Sequence, residues 1–317
     1  MSMRRPHSKI LDFNVAPTSF RDALAEFDLN WQVGLRPIFT ANAAGELCQI
    51  PGYRSVNRLD KDIPLSVVGG RYVPVQHDQL GDIVDGVVSG LGARYVNGGL
   101  FGDGERVFLQ AEFPDTIRVK GSTDDLVKKY LTFLSSHDSS LPAVLGGTNT
   151  RIVCQNTFMM AFKDARRDVR IRHTNNAQLR LEESKDVLKA MLEYHNAVEL
   201  KVSQLANSKF SDAMMAEALR KVFDVDMKTP LSDVPKKTIN NMETVAEYFE
   251  SGLGIDSTNR GTGWAAYNAF TQYSNHDKVV KKEDENPMNR TESLLIGSGA
   301  NFNLNALQVI ESIAQLA

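Results

Sequence analysis

The chain predicts an α+β fold: an antiparallel sheet with hairpins packed on a long helix, followed by a helical C-terminal region. Three observations lead there. Strand-like segments dominate up to residue 155. After residue 180 the apolar spacing changes to 3.6. Two turn dipeptides suited to positive φ, Asn97-Gly98 and Asp103-Gly104, punctuate the first part. Strands and helices mixed first, with helices alone later, give an α+β rather than an alternating βαβ pattern.

The elements follow in order. Residues 1–15 read as a mobile arm. Thr18-Ser19 with Asp22 caps a short helix that buries Phe20, Leu24 and Phe27. Residues 31–39 and 47–59 read as strands, and 65–75 as a β-rich segment interrupted by Gly69-Gly70. Leu80, Ile83, Val84, Val87 and Val88 have helical spacing, stopped by Gly90 and Gly92. Residues 93–113 predict a hairpin or two linked hairpins. Tyr130–Ser136 and Arg151–Gln155 are further strands, with an unusually polar loop between them.

In the second part, Leu181, Leu188, Met191, Leu192, Val198, Val202 and Leu205 line one side of a long helix, His195 among them. Helices are expected over 211–223, 238–249, 264–273 and 303–317. The organisation is a 16–180 mixed α+β core, a 181–253 helical region, and 254–317 C-terminal helices packing back, with a mobile polar loop at 274–292.

Composition narrows the classes. At 317 residues, 42% hydrophobic and 24% charged, the chain has globular proportions. No apolar run approaches the ~18 residues of a membrane span, and the N-terminus has no apolar signal region. Cys48 and Cys154 are the only cysteines, so a disulfide framework is not expected and a cytoplasmic setting is.

Charge is uneven. Residues 1–180 carry 22 Lys/Arg against 19 Asp/Glu, while 181–317 carry 14 against 20. The excess concentrates at Lys163, Arg166, Arg167, Arg170, Arg172 and Arg180, against Asp164 and Asp168 alone. Gln155, Asn156, Thr157, Thr174, Asn175, Asn176 and Gln178 flank them. Arginine with amides and hydroxyls is the chemistry of phosphate and sugar contact. On a strand, Arg170 and Arg172 would share one face. A solvated, helix-capping edge is the plainer reading of such a cluster.

Other motifs are weaker. Gly102-x-Gly104 sits between strands and reads as a turn, and the 145–150 stretch lacks the Gly-Lys-Ser/Thr of a phosphate loop. His137-Asp138 with Ser139-Ser140 suggests a hydrolase, but no Gly-x-Ser-x-Gly elbow accompanies it. His137, Cys154, His173 and His276 have no metal-ligand spacing. Phe158, Phe162, Trp264 and Tyr267 read as core rather than as stacking platforms.

LSVVGGRYVPVQ, GERVFLQAEFP, YLTFLSSHDSS, RIVCQNT, RIRHTNN, GTGWAAYNAFTQYSNHD and GSGANF together resemble the phage- and plasmid-borne DUF932 family, from about Val67 to the last helix. In one departure, Ser139 stands where the resemblance leads one to expect glycine. The resemblance extends to the Rad52/Redβ group of single-strand annealing proteins, in which a sheet and a long helix form a positive groove. It implies no cofactor, assembly into a ring or filament of like subunits, single-stranded DNA as partner and a recombination exonuclease as companion.

The expected function is therefore ATP-independent binding and annealing of single-stranded DNA in phage or plasmid recombination. Arg151, Lys163, Arg166, Arg167, Arg170 and Arg172 would hold phosphates, and Asn156, His173 and Asn175 would add hydrogen bonds. Hairpin 93–113 and the acidic helices would supply subunit contacts. The alternatives are a non-enzymatic oligomeric scaffold or host-interaction protein of a mobile element, and a hydrolase or nuclease using His137, Asp138 and His173.

Overall fold

The computed structural model describes residues 10–119, 125–151, 156–158, 160, 168–170, 177–281, 286 and 288–316. The first helix, α1 (Phe20–Glu26), is capped by Ser19, whose hydroxyl accepts the Asp22 N–H at 3.1 Å. An antiparallel sheet of three strands follows: β1 (Val33–Ala41), β2 (Leu47–Arg58) and β3 (Ile63–Gly69). After one 3-10 turn, His77–Leu80, comes α2 (Gly81–Gly90).

The larger sheet runs in the order β4 (Arg94–Phe101), β5 (Arg106–Arg118), β6 (Leu126–Ser136), β7 (Val144–Arg151) and β8 (Asn156–Phe158). A short strand, β9 (Asp168–Arg170), pairs with β7 opposite Val144, Leu145 and Gly146. The helical part is α3 (Ala177–Asn207), α4 (Asp212–Val222), α5 (Lys236–Ser251), α6 (Gly263–His276), α7 (Met288–Ile296) and α8 (Ser298–Ala314).

Two cores organise the molecule, and α3 contributes to both. In one, Leu109, Leu131, Phe133 and Leu145 of the large sheet meet α1, α2 and the Val187–Met191 stretch of α3. In the other, Val198, Val202 and Leu205 of α3 pack with α4, α5, α6 and α8. Trp264 and Tyr267 are fully buried there, as the sequence predicts. The Trp264 indole N–H donates to the buried Asp125 carboxylate at 2.9 Å, linking α6 to the start of β6.

Several expectations change. The polar stretch after Tyr130–Ser136 is mostly strand: residues 144–151 form β7, and the connecting loop shrinks to 137–143. Gly147 serves close packing, since a Cβ there would lie 2.1 Å from the Tyr194 ring. Asp103-Gly104 makes the β4–β5 turn, with φ of +62° at Gly102 and +118° at Gly104. Asn97-Gly98 makes no turn. It lies inside β4 beside a register shift, and Asn97 is buried.

Hairpin 93–113 is thus the edge strand β4 paired with β5, and most of its residues are buried. Leu192 faces solvent at 47% exposure, because α3 turns it away from both cores. The N-terminal segment is docked from Ile10 onward: Ile10 bridges Asn97, and the Leu11 N–H donates to Val96 O at 2.7 Å.

The 274–292 loop is also narrower than expected. Ser274, Asn275 and His276 complete α6, and 288–292 open α7. The buried Arg290 guanidinium donates to the carbonyls of Ser274, Asn275 and Lys278 at 3.0–3.1 Å. A cation on the free carbonyls of a helix C-terminus is favourable. Arg290 thereby turns a charge-dense sequence into a helix end and a second helix.

Candidate functional site

The described part of the expected site lies on and beside β7, whose far side pairs with β8 and β9. Arg170 on β9 is exposed, Val169 turns inward against the first core, and Asp168 shares the outward side with Arg170. Arg151 ends β7 opposite Val127 and Asn156. Lys163, Arg166, Arg167, Arg172, His173 and Asn175 lie outside the described residues.

Asn156 is a correction. It is fully buried: its amide donates to Thr271 Oγ1 at 3.3 Å, and its carbonyl oxygen lies 3.1 Å from His276 Nε2. The side chain clips β8 to α6 and does not present itself to a strand of nucleic acid.

Beside the β7–β9 edge lies a cavity of about 190 Å³. Leu134, Leu141, Leu295 and Ala300 line its walls, and Thr132, Thr148, Asp168 and Asn301 supply polar groups. A buried ladder runs inward from it. Asn97 donates to Gln110 Oε1 at 2.8 Å, and Gln110 Nε2 donates to Thr132 at 3.0 Å and Thr148 at 3.2 Å. The two hydroxyls are themselves bonded at 2.9 Å. This arrangement fixes strand register and satisfies buried polar groups. Each threonine's hydrogen-bonding neighbours are an amide and another hydroxyl, and neither activates a nucleophile.

The second cluster joins the two sheets at the 137–140 loop. His77 Nδ1 lies 2.8 Å from the Leu29 carbonyl oxygen, and His77 Nε2 lies 2.8 Å from His137 Nε2. A carbonyl only accepts, so His77 Nδ1 carries the proton and Nε2 is its lone pair. His137 Nε2 therefore donates, which leaves His137 Nδ1 as an acceptor. That atom is buried without a protein partner.

Burial drives both imidazoles toward the neutral form. It lowers the His77 pKa and, with the neighbouring His77, pushes His137 to about 3. Trp31 packs on both rings, and Arg58 lies 4.3 Å over the Trp31 ring. Arg58 also grips Asp60 with Nε at 2.8 Å and Nη2 at 3.0 Å, and this bond holds the Asp60 carboxyl below its ordinary range.

Asp138 is engaged by Ser140 and Arg106. Burial pushes its pKa up, but hydrogen bonds from Ser140 and the charge of Arg106 outweigh it and hold the carboxyl low. Arg106 reaches Asp138 at 3.5 Å and also pairs with Glu292 of α7. Ser139 has φ of +61°, the left-handed region that glycine occupies without strain. The glycine expected after His-Asp thus has a conformational reason.

A hydrolase built on His137 finds little support here. Its Nε2 proton is committed to His77, and its lone pair is buried. Asp138 is paired with arginine instead of orienting an imidazole. Among the described residues, no group of three or more His, Cys, Asp or Glu gathers as a metal site. His77, Trp31, Arg58, Gln110, Thr132 and Thr148 were not singled out by sequence, because the contacts that bring them together span 13–60 positions and no spacing signals them.

These features define an α+β protein whose polar motifs mainly hold sheets and helices together, with Arg170 exposed on a short strand at one sheet edge. The chain belongs to the family described as a domain of unknown function (DUF932), whose family model matches residues 64–295. No curated protein and no solved structure matches it. No helix among the described residues is long and apolar enough to cross a membrane.

Proposed function

We propose that this chain is an ATP-independent single-stranded DNA binding and annealing protein acting in phage or plasmid recombination. One observation carries the reading. Arg170 stands exposed on a short strand at the open edge of the large sheet, within a stretch that concentrates six Lys/Arg against two acids. The antiparallel sheet with a 31-residue helix packed against it agrees with the groove that the family resemblance implies.

The mechanism is electrostatic. Arg151, Lys163, Arg166, Arg167, Arg170 and Arg172 hold one strand by its phosphates, and His173 and Asn175 add hydrogen bonds. Asn156 is left out, because its amide is engaged inside. Bases stay free to test a complementary strand. Several subunits side by side, in a ring or filament, turn short weak sites into avidity. A recombination exonuclease is the natural supplier of single strands, and the bacterial cytoplasm the place of action.

A strand-pairing assay tests this: two complementary dye-labelled strands, mixed with protein and no nucleotide. Pairing faster than the spontaneous rate supports annealing, and an unchanged rate removes it. An Arg170→Ala/Arg172→Ala double variant is expected to weaken strand binding and lower the salt slope by about one per lost phosphate contact. The scaffold reading keeps one observation of its own, an exposed apolar hairpin.

A further inference from the structure

The β1–β2 hairpin is built like an interface with its partner removed. Every residue from 39 to 49 is exposed, on both faces of the hairpin. Phe39 is 50% exposed, Leu47 75% and Tyr53 53%, and Val67 of β3 stands 65% exposed beside them. Residues 37–53 hold a single charge, Glu46. That charge is tied at the tip, where the Asn42 amide donates to Glu46 at 2.9 Å. The tip is well formed: Asn42 Oδ1 accepts the N–H groups of Ala44 and Glu46 at 2.9 Å, and Gly45 takes φ of +83°.

A two-stranded hairpin without cover is at best marginally stable in water. A persistent, almost uncharged arm is therefore expected to be covered. Its edges are poorly suited to adding strands, because Pro37 and Pro51 lack N–H donors. Its faces are what remain to be buried.

We propose that this arm is a self-association element, exchanged reciprocally between two copies of the chain. This deepens the homo-oligomer part of the reading above and rests on it for that part alone. Area selects a second copy over a different partner. About six residues per strand, with a rise of ~3.4 Å and strands ~4.8 Å apart, give roughly 200 Å² per face and 400 Å² for both. One arm in one landing site then buries roughly 800 Å² in total, the size of a weak contact. Reciprocal exchange about a two-fold axis doubles this to about 1,600 Å², the size of a stable interface. The near absence of charge fits a partner that needs no electrostatic match. The arm also precedes residues 64–295, so it stands outside the part of the chain that carries the family likeness.

The test is light-scattering mass across a concentration series, on the full chain without DNA. The wild type is expected at twice the 35.2 kDa chain mass or a multiple of it. Phe39→Ser/Leu47→Ser is expected to dissociate at concentrations ~10-fold higher or more, as loss of two interface anchors requires. Both side chains lie outside the cores, so the helical circular-dichroism signal is expected to stay unchanged.

Cys48 gives a second readout in the unaltered protein, since it is an exposed thiol on the arm. Its alkylation, followed by peptide mass, is expected to slow as protein concentration rises. A monomeric wild type, an unchanged mass distribution in the variant, or a concentration-independent Cys48 rate would each overturn the proposal. Cys48 protection only on adding single strand, with the chain still monomeric, would overturn it in favour of a nucleic-acid surface. A chain that dimerises through the arm yet ignores DNA would leave it standing and remove the annealing function.

Discussion

The two sheets of this protein are both antiparallel, yet they are built on opposite terms. The large sheet is covered on both sides: Leu109, Leu131 and Phe133 meet the α1–α3 core, while Phe108 and Leu134 meet α7. Even its polar residues Gln110, Thr132 and Thr148 are buried and bonded to one another. The small sheet is anchored at one end by Val33, Val56 and Val68 and exposed at the other. The large sheet is scaffold, where change costs stability. The small sheet's free end is surface, where change should alter association.

The sharpest contrast is a pair of glycines. Gly147→Ala on the large sheet drives a Cβ to 2.1 Å from the Tyr194 ring. It is expected to cost about 3 kcal/mol, at the upper end for overpacking. Gly69→Ala on the small sheet meets nothing within 4 Å and is expected to stay within about 0.5 kcal/mol. Chemical denaturation of both variants measures this directly, and equal costs would break the contrast.

Next in size is the buried ladder. Gln110→Leu removes the acceptor of the Asn97 amide and the donor to both threonines. About 1–3 kcal/mol is expected, the cost of stranding buried polar groups. A neutral result in denaturant melts would mean the ladder contributes shape alone.

Acidity probes the junction between the sheets. His77, His137 and His195 are all lowered by burial, the last two to about 3. Between the unfolded histidine value of about 6.5 and these folded values, the unfolded chain binds protons that the folded chain does not. Their contribution is complete above about pH 6.5 and declines as pH falls toward 3. Asp85 and Glu292, raised by burial, act in the opposite sense nearer the carboxylate range. The clearest decline is therefore expected from pH 7 to about 5, where histidine titrates and carboxylates do little. Stability that is flat across that interval would show that the imidazoles open to solvent before global unfolding.

A small gain, opposite in sign to the losses above, is expected at Ser139. Ser139→Gly relieves a left-handed φ of +61° and is expected to raise stability by about 0.5–1 kcal/mol, less whatever the contact with Tyr72 contributes. A loss of stability in the same melts would show that the contact outweighs the strain.

Much of the fold was legible because periodicity reports local geometry. The 3.6 spacing gave the helical half, and the Gly102–Gly104 turn gave the β4–β5 hairpin. The LGGTNT stretch misled, because small and polar residues signal loops, whereas here they line a strand against Tyr194 and a buried ladder. Asn97-Gly98 misled for a related reason: its glycine gives room to Phe27 and Leu109, which a Cβ would meet at 2.8–2.9 Å. The candidate site was less legible. Arg170 sits outward, where strand alternation allows it, but Asn156 turned inward to Thr271, 115 positions away. The His77–His137 pair also forms over a long separation, and period-based reading has no access to such contacts. The exposed arm escaped notice because apolar alternation looks the same whether or not a partner covers it.

Whether the chain holds single-stranded DNA by its phosphates is decided by fluorescence polarisation of a labelled single strand at two salt concentrations. Binding that prefers single strand to duplex and weakens steeply with salt is expected, as release of counterions from several phosphates requires. No binding at low salt, by folded and assembled protein, would contradict that expectation.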